Sequence, residues 1–269
     1  MLFNYNTLKV ILDTSTRSIK VFLNRPEDNN RLNIEMLFEL EGLASWLTSH
    51  LEVNSVVISS ETDEFCSGFD LNELKIMSDE KRYKYLARFQ RVIQSYKALP
   101  QTIICDLRNG ASSMGIELAL AADIRLINKK GQLNFNFLKE AWVPMCGGIS
   151  LLAELVGKSN AWQWVLSSKK VEADRLINSG FVLDYSDSCD ELMKTISEQS
   201  PVARIQAKRA FYDTVHKQFD ESIHFDTACA QASMKTDDWR LENEDSEEFT
   251  AARDFSTNVK TNYTNTPHM

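Results

Sequence analysis

The order of hydrophobic runs predicts an α/β fold with a helical C-terminal region, and two observations carry that reading. In the first half of the 269-residue chain, short β-type runs alternate with stretches of helical periodicity. That is the pattern of parallel strands joined by right-handed crossovers. From about Gly147 onward the segments are mostly helical. A chain of this length with 43% hydrophobic residues can bury one large core or two packed units.

The elements follow in order. "LKVILD" and "IKVFLN", separated by "TSTRS", predict a hairpin. "IEMLFELEGLASWLTSHL" has apolar residues at helical spacing, and "SVVISS" is a buried-strand candidate followed by the turn-rich "ETDEFCSGFD". A helix from about Glu80 to Ala98 stops before Pro100. "TIICDL" is a further strand, "NGASSMG" a small-residue turn into an apolar helix carrying Glu117, and "DIRLIN" another strand. "GISLLAELVG", "NAWQWVLSS" and "EADRLINSG" read as helices. The stretch from Pro201 to about Lys235 has Ser200 as cap and Pro201 at the first helical position. The tail "KTNYTNTPHM" is polar and reads as loose. Two units are expected, a strand–helix core over 1–200 and a helical region over 201–269.

Composition excludes several functions. The formal net charge of -8 argues against a nucleic-acid partner, because phosphate binding wants clustered Lys and Arg. The cysteines, at 66, 105, 146, 189 and 229, are odd in number and widely spaced, without CxxC or Cys/His ligand spacing. Neither a metal site nor a disulfide framework is expected, and reduced thiols in a cytoplasmic protein are the simplest reading. None of the histidines at 50, 216, 224 and 268 neighbours a plausible nucleophile in sequence. The start "MLFNYNTLKVILD" has no long apolar region with a cleavage site, and no run approaches a membrane span.

Two turns could carry chemistry. "FCSGFDL" follows "SVVISS", and "NGASSMG" follows "TIICDL". Turns of small residues leave backbone N–H groups unpaired, and two together could hold developing negative charge. Taken alone, each is a weak signal, because most such strand–turn–helix connections are only joints. Glu117, inside the helix that follows the second turn, has apolar neighbours Ile116 and Leu118. An acid in a first helical turn often only complements the dipole. A buried carboxylate, however, is expensive unless paired or used. Burial would raise its pKa and the helix N-terminus would lower it.

Four segments together resemble the crotonase superfamily, the enoyl-CoA hydratase/isomerase family. They are "LNRPEDNNRLN", "FCSGFDLNEL", "GASSMGIELALAADIRL" and "WVPMCGGISLLAELVGKSNAWQWVLSSKKVEADRLINSGFVLDY". They occur in the family's order over about Leu23 to Tyr185, and "SPVARIQAKRAF" and "EFTAARDF" resemble it more loosely. The resemblance implies a spiral of ββα units with a helical C-terminal region and assembly as a homotrimer or a dimer of trimers. It implies an acyl-CoA thioester as ligand, with coenzyme A as part of the substrate and no separate cofactor. By the motif, the amides of Phe69 and Met114 form the oxyanion hole and Glu117 is a catalytic acid/base. Cys66, Ser67, Gly68, Asp70, Leu71 and Gly115 then line the substrate site.

The departures matter as much. Hydratases of this family carry a second glutamate where this chain has Phe137. Glu140 lies three residues on, at an offset that could aim it elsewhere. Ser113 and Met114 replace two glycines, and Asp28 stands where a negative charge would not help bind CoA phosphates. Two functions remain open. One is an enzyme of lipid metabolism, a lyase or isomerase working through Glu117 alone and better suited to isomerisation or other enolate chemistry than to hydration. The other is a catalytically weak protein of the same fold that binds a CoA ester or a protein partner.

Overall fold

The computed structural model describes residues 3–185, 188–215, 217–234 and 238–240. Strands β1 (Leu8–Asp13) and β2 (Ser18–Leu23) form the expected antiparallel hairpin, with Leu8 opposite Leu23. Helix α1 (Ile34–Thr48) is capped by Asn33, whose Oδ1 accepts from Met36 N at 2.8 Å. Its buried face is Met36, Leu37, Leu40, Leu43, Ala44 and Leu47. Strand β3 (Ser55–Ser60) is parallel to β2 and buried at every position, as a strand covered on both faces must be. Helices α2 (Leu71–Ile76) and α3 (Asp79–Ala98) follow, and α3 lies against α1, with Tyr96 Oη donating to Leu40 O at 3.2 Å.

The next part of the chain repeats one unit. In β4 (Thr102–Asp106), β5 (Gly110–Ser112) and α4 (Met114–Leu120), the first strand joins the large sheet, the second joins a small one, and a helix follows. The same holds for β6 (Ile124–Ile127), β7 (Gln132–Asn134) and α5 (Ser150–Val156). After β3, isolated bridges from Glu64 to Arg108, Cys66 to Ala111 and Phe69 to Leu32 take the place of the second strand. Helix α6 (Lys158–Leu166), strand β8 (Lys170–Glu172), helix α7 (Ala173–Asn178), strand β9 (Asp184–Tyr185) and helix α8 (Asp190–Glu198) complete the core. The large sheet has the order β1-β2-β3-β4-β6-β9, parallel from β2 onward, and the small sheet is β5-β7-β8. Helices α9 (Pro201–Val215) and α10 (Lys217–Met234) pack back onto this core.

Three readings need correction. Gly110–Ser112, read as turn, is a strand, and β8 and β9 interrupt the half read as helical. Strands of two or three residues are too short for periodicity to register. Gly110 makes β5 possible: its φ is +146, and a Cβ there would lie 1.9 Å from the Gln132 carbonyl oxygen on β7. "EFTAARDF" and the tail "KTNYTNTPHM" lie outside the described residues.

Candidate active site

Both small-residue turns come at the same place in their units, just after the second strand position, and the fold presses them together. Gly68 has φ +99, and a Cβ on it would meet Ser113 Cβ at 3.1 Å and Met114 N at 3.4 Å. A Cβ on Gly115 would lie 2.3 Å from the Cys66 carbonyl oxygen, so only glycine fits. The flanking amides are engaged: Asp70 N donates to Leu32 O at 2.9 Å and Ser113 N to Asn134 O at 3.2 Å. Among the described residues, the amides of Phe69 and Met114 donate to nothing. Two adjacent unpaired N–H groups in a buried setting are an anion-binding arrangement, since such donors otherwise find partners. Ser113 holds φ +49 without being glycine, a strained backbone that lets α4 start where it does.

The other residues of the first turn are its posts. Asp70 caps α2, Oδ1 accepting from Glu73 N at 3.2 Å, while its Oδ2 accepts from Arg25 Nη2 at 2.8 Å. The same Arg25 nitrogen donates to Asp28 at 2.6 Å, so the unexpected acid in that segment is neutralised locally. Ser67 Oγ donates to Asn29 O at 2.8 Å, and Leu71 opens α2. Cys66 is buried, which pushes its thiol up to about 12 and makes it inert. The Phe69 side chain turns into the core, edge-on to Tyr85, Phe89 and Trp142 with ring centroids 5.0–5.5 Å apart. Trp142 in turn contacts Trp239 at 5.5 Å. The side chains of Phe69 and Met114 therefore fill space that small residues would leave open.

Glu117 is fully buried in α4, and its carboxylate is solvated by a loop. Oε1 accepts from Cys146 N at 2.7 Å and Gly148 N at 2.8 Å, and Oε2 accepts from Met145 N at 3.1 Å. Burial outweighs these three donors and pushes its pKa up to about 7. The opposing influence anticipated from the start of α4 is instead supplied by the Met145–Gly148 loop. The remaining amide of that loop, Gly147 N, faces Asp226 on α10 and counts among the influences that lower that acid's pKa. Asp226 is itself buried, its pKa is pushed up to about 6 by desolvation, and its charge raises Glu117 further.

Asp226 was missed in the sequence, although a signal was there. It falls in the stripe Phe219, Ile223, Asp226, Ala230, Met234, an acid on the apolar face of a helix. Phe137, at the position of the absent second glutamate, is fully buried with its ring 6.5 Å from that of Phe135. Glu140, three residues on, is held by a neighbour in its own segment. Its carboxylate accepts from Asn136 Nδ2, Ser113 on the second turn is among the influences that lower its pKa, and burial outweighs them and raises it.

This geometry can hold an oxyanion on two amides and move a proton through a carboxyl group that titrates near neutrality. Comparison with known proteins agrees with the fold that builds it. Human mitochondrial methylglutaconyl-CoA hydratase is 28% identical over 243 residues, covering 86% of this chain and 71% of that one. The short-chain-enoyl-CoA hydratase of Clostridium acetobutylicum is 24% identical over 236 residues, covering 85% of this chain and 90% of its own. A crystal structure of an enoyl-CoA hydratase/isomerase from Mycobacterium paratuberculosis superposes with TM-score 0.82 at 20% identity, over 88% of this chain and 98% of that one. The chain thus has the crotonase fold, two sheets with C-terminal helices. The enoyl-CoA hydratase/isomerase family model matches residues 14–258, and the protein belongs to that family.

Proposed function

We propose that the protein is an enzyme acting on an acyl-CoA thioester, with isomerisation or another enolate reaction favoured over hydration. The observation that carries this reading is the pair of unpaired amides, Phe69 and Met114, beside a buried carboxyl group whose pKa lies near 7. In a 3-enoyl thioester, ionised Glu117 takes a proton from C2, and the electron pair moves into the thioester carbonyl. The resulting enolate oxygen rests on the two amides. Returning the same proton to C4 shifts the double bond to C2–C3, leaving atoms and charge balanced. One positioned acid/base contributes roughly 10²–10⁴-fold, and an oxyanion donor roughly 10²–10³-fold. Hydration needs a second group to orient water, and the Phe137 ring cannot do so.

The alternative is a protein of little activity that binds a CoA ester or a protein partner. It is favoured by the aromatic filling around Phe69, Trp142 and Trp239. The experiment is an assay of native protein and Glu117→Gln on 2-enoyl- and 3-enoyl-CoA, with product analysis. Isomerisation that falls at least 10²-fold in the variant is expected; native isomerisation that survives would move the chemistry away from Glu117. Saturable binding without turnover would support the alternative.

The remaining parts of the proposal are coarser. The region over 201–269, of which 241–269 lie outside the described residues, is proposed to serve assembly into a homotrimer or a dimer of trimers, a role supported by the exposed Trp162, Leu166 and Val202. Light scattering decides it. A cytoplasmic location is proposed from the free cysteines, with the mitochondrial human relative marking the competing compartment that fractionation would reveal. No helix among the described residues is long and apolar enough to cross a membrane.

A further inference from the structure

A cavity of about 690 Å³ lies at the end of the large sheet opposite the candidate active site, beside the first residues of β4 and β6. The turns of the candidate active site follow the far ends of β3 and β4, so the two places are separated by the length of the strands. Helix α4 connects them: Met114 opens it at the active site and Leu120, which lines the cavity, closes it. One wall is apolar, with Leu151, Leu155 and Ile196. The charged groups on the lining are Lys97, Arg125, Arg204 and Lys208 against Asp123 and Glu154, four cations to two anions, in a chain whose formal net charge is -8.

These cations are unequally satisfied. Lys208 Nζ holds Asp123 Oδ2 and Gln101 O, both at 2.7 Å. Arg125 donates to Phe181 O and Ala122 O at 2.7 Å, and Arg204 to Asn54. Lys97 is only 6% exposed, yet among the described residues its ammonium donates only to Leu120 O, at 3.3 Å. An ammonium has three donors, and a buried one lacking partners is costly. In keeping with that, burial holds the Lys97 pKa down to about 8.

We propose that this cavity binds a small amphipathic carboxylate, its head group on the ammonium groups of Lys97 and Lys208 and its hydrocarbon tail along Leu151, Leu155 and Ile196. A carboxylate supplies the acceptors Lys97 lacks, and the apolar wall selects a tail over a bare anion. The cavity is within the usual range for small-molecule sites of about 300–1,000 Å³ and is larger than a short-chain carboxylate, so longer tails would fit as well.

The test is calorimetry of the full chain with octanoate, octan-1-ol and inorganic phosphate. Octanoate should bind saturably and at least ten-fold more tightly than either of the others. Lys97→Met should weaken octanoate at least ten-fold and change octan-1-ol less than two-fold. That variant is expected to fold, because an apolar side chain in place of a buried, poorly partnered charge is usually tolerated. Leu155→Trp, which puts a bulky ring on the apolar wall that takes the tail, should weaken both signals, whereas Glu117→Gln should leave octanoate binding unchanged. Absence of saturable octanoate binding, equal affinity for phosphate, or an unchanged affinity in Lys97→Met overturns the proposal. So does loss of binding in Glu117→Gln, which would place octanoate at the active site instead.

Discussion

Replacing Glu117 by Gln should make the protein more stable at alkaline pH and leave it nearly unchanged below pH 5. The carboxyl group moves from an ordinary 4.5 to about 7 on folding, so the folded chain holds that proton more tightly than the unfolded chain. Stability linked to this proton is fully present below pH 4.5 and is lost as pH rises through 7. A shift of this size corresponds to about 3 kcal/mol at 1.36 kcal/mol per unit. Gln carries no such penalty. It does turn an amide NH₂ toward one loop donor, Met145 N, which lies farthest from the carboxylate at 3.1 Å. That donor-to-donor contact costs about 1–3 kcal/mol, and the protonated Glu at low pH suffers a similar one. The variant should therefore match the native protein within about 1 kcal/mol at pH 5 and exceed it by about 2–3 kcal/mol at pH 8.5. Urea denaturation of both at one protein concentration, every half unit from pH 5 to 9, reads the difference directly. Asp226 also has a raised pKa and contributes with the same sign, but it is present in both proteins and cancels in the difference to first order. Parallel curves for the two proteins would refute the assignment of Glu117 as a buried group titrating near neutrality.

Asp226→Asn removes a negative charge from beside Glu117 and should lower the pKa of Glu117, moving the acidic limb of the pH–rate profile downward. An unmoved limb would mean that the two acids do not interact. Gly148→Ala puts a Cβ 2.5 Å from Pro144 Cβ and 2.8 Å from Glu117 Oε1. It should reduce stability by about 1–3 kcal/mol in thermal melts and remove turnover together, because the loop must shift away from the carboxylate. Phe137→Glu buries a charge where a ring packs beside Phe135, and it should destabilise the fold by several kcal/mol without conferring hydration of a 2-enoyl-CoA. A stable variant with new hydratase activity would show that position 137 faces substrate.

The fold was legible wherever an element was long enough to impose a period. The hairpin of β1 and β2, helix α1, the fully buried β3 and helix α3 all lie within a few residues of where periodicity and capping put them. The small sheet was not legible, because β5, β7 and β8 have three residues each and their pairing depends on partners distant in sequence. Gly110 is the trace they leave: it is glycine because the β7 backbone occupies the place of its side chain. The expected single stretch from Pro201 to Lys235 became α9 and α10, with the proline start where the motif set it.

The active-site reading divides in the same way. The two turns and Glu117 could be found because each is continuous in sequence, and glycine is demanded by a φ of +99 at 68 and by the approach of the Cys66 carbonyl oxygen at 115. What surrounds Glu117 could not be found, since its partners are main-chain amides and an acid more than a hundred residues away. Three amides of the Met145–Gly148 loop donate to Glu117, and the fourth, that of Gly147, lowers the pKa of Asp226. No cation appears among the principal influences on the Glu117 proton; they are burial, three loop amides and Asp226. A carboxylate solvated this way keeps a proton affinity that depends on loop geometry, so a displacement of the "PMCGG" loop changes how readily Glu117 takes or gives a proton. Ligand contacts that move this loop would thus retune the acid without touching it, and its only mark in the sequence is a pair of glycines after a proline.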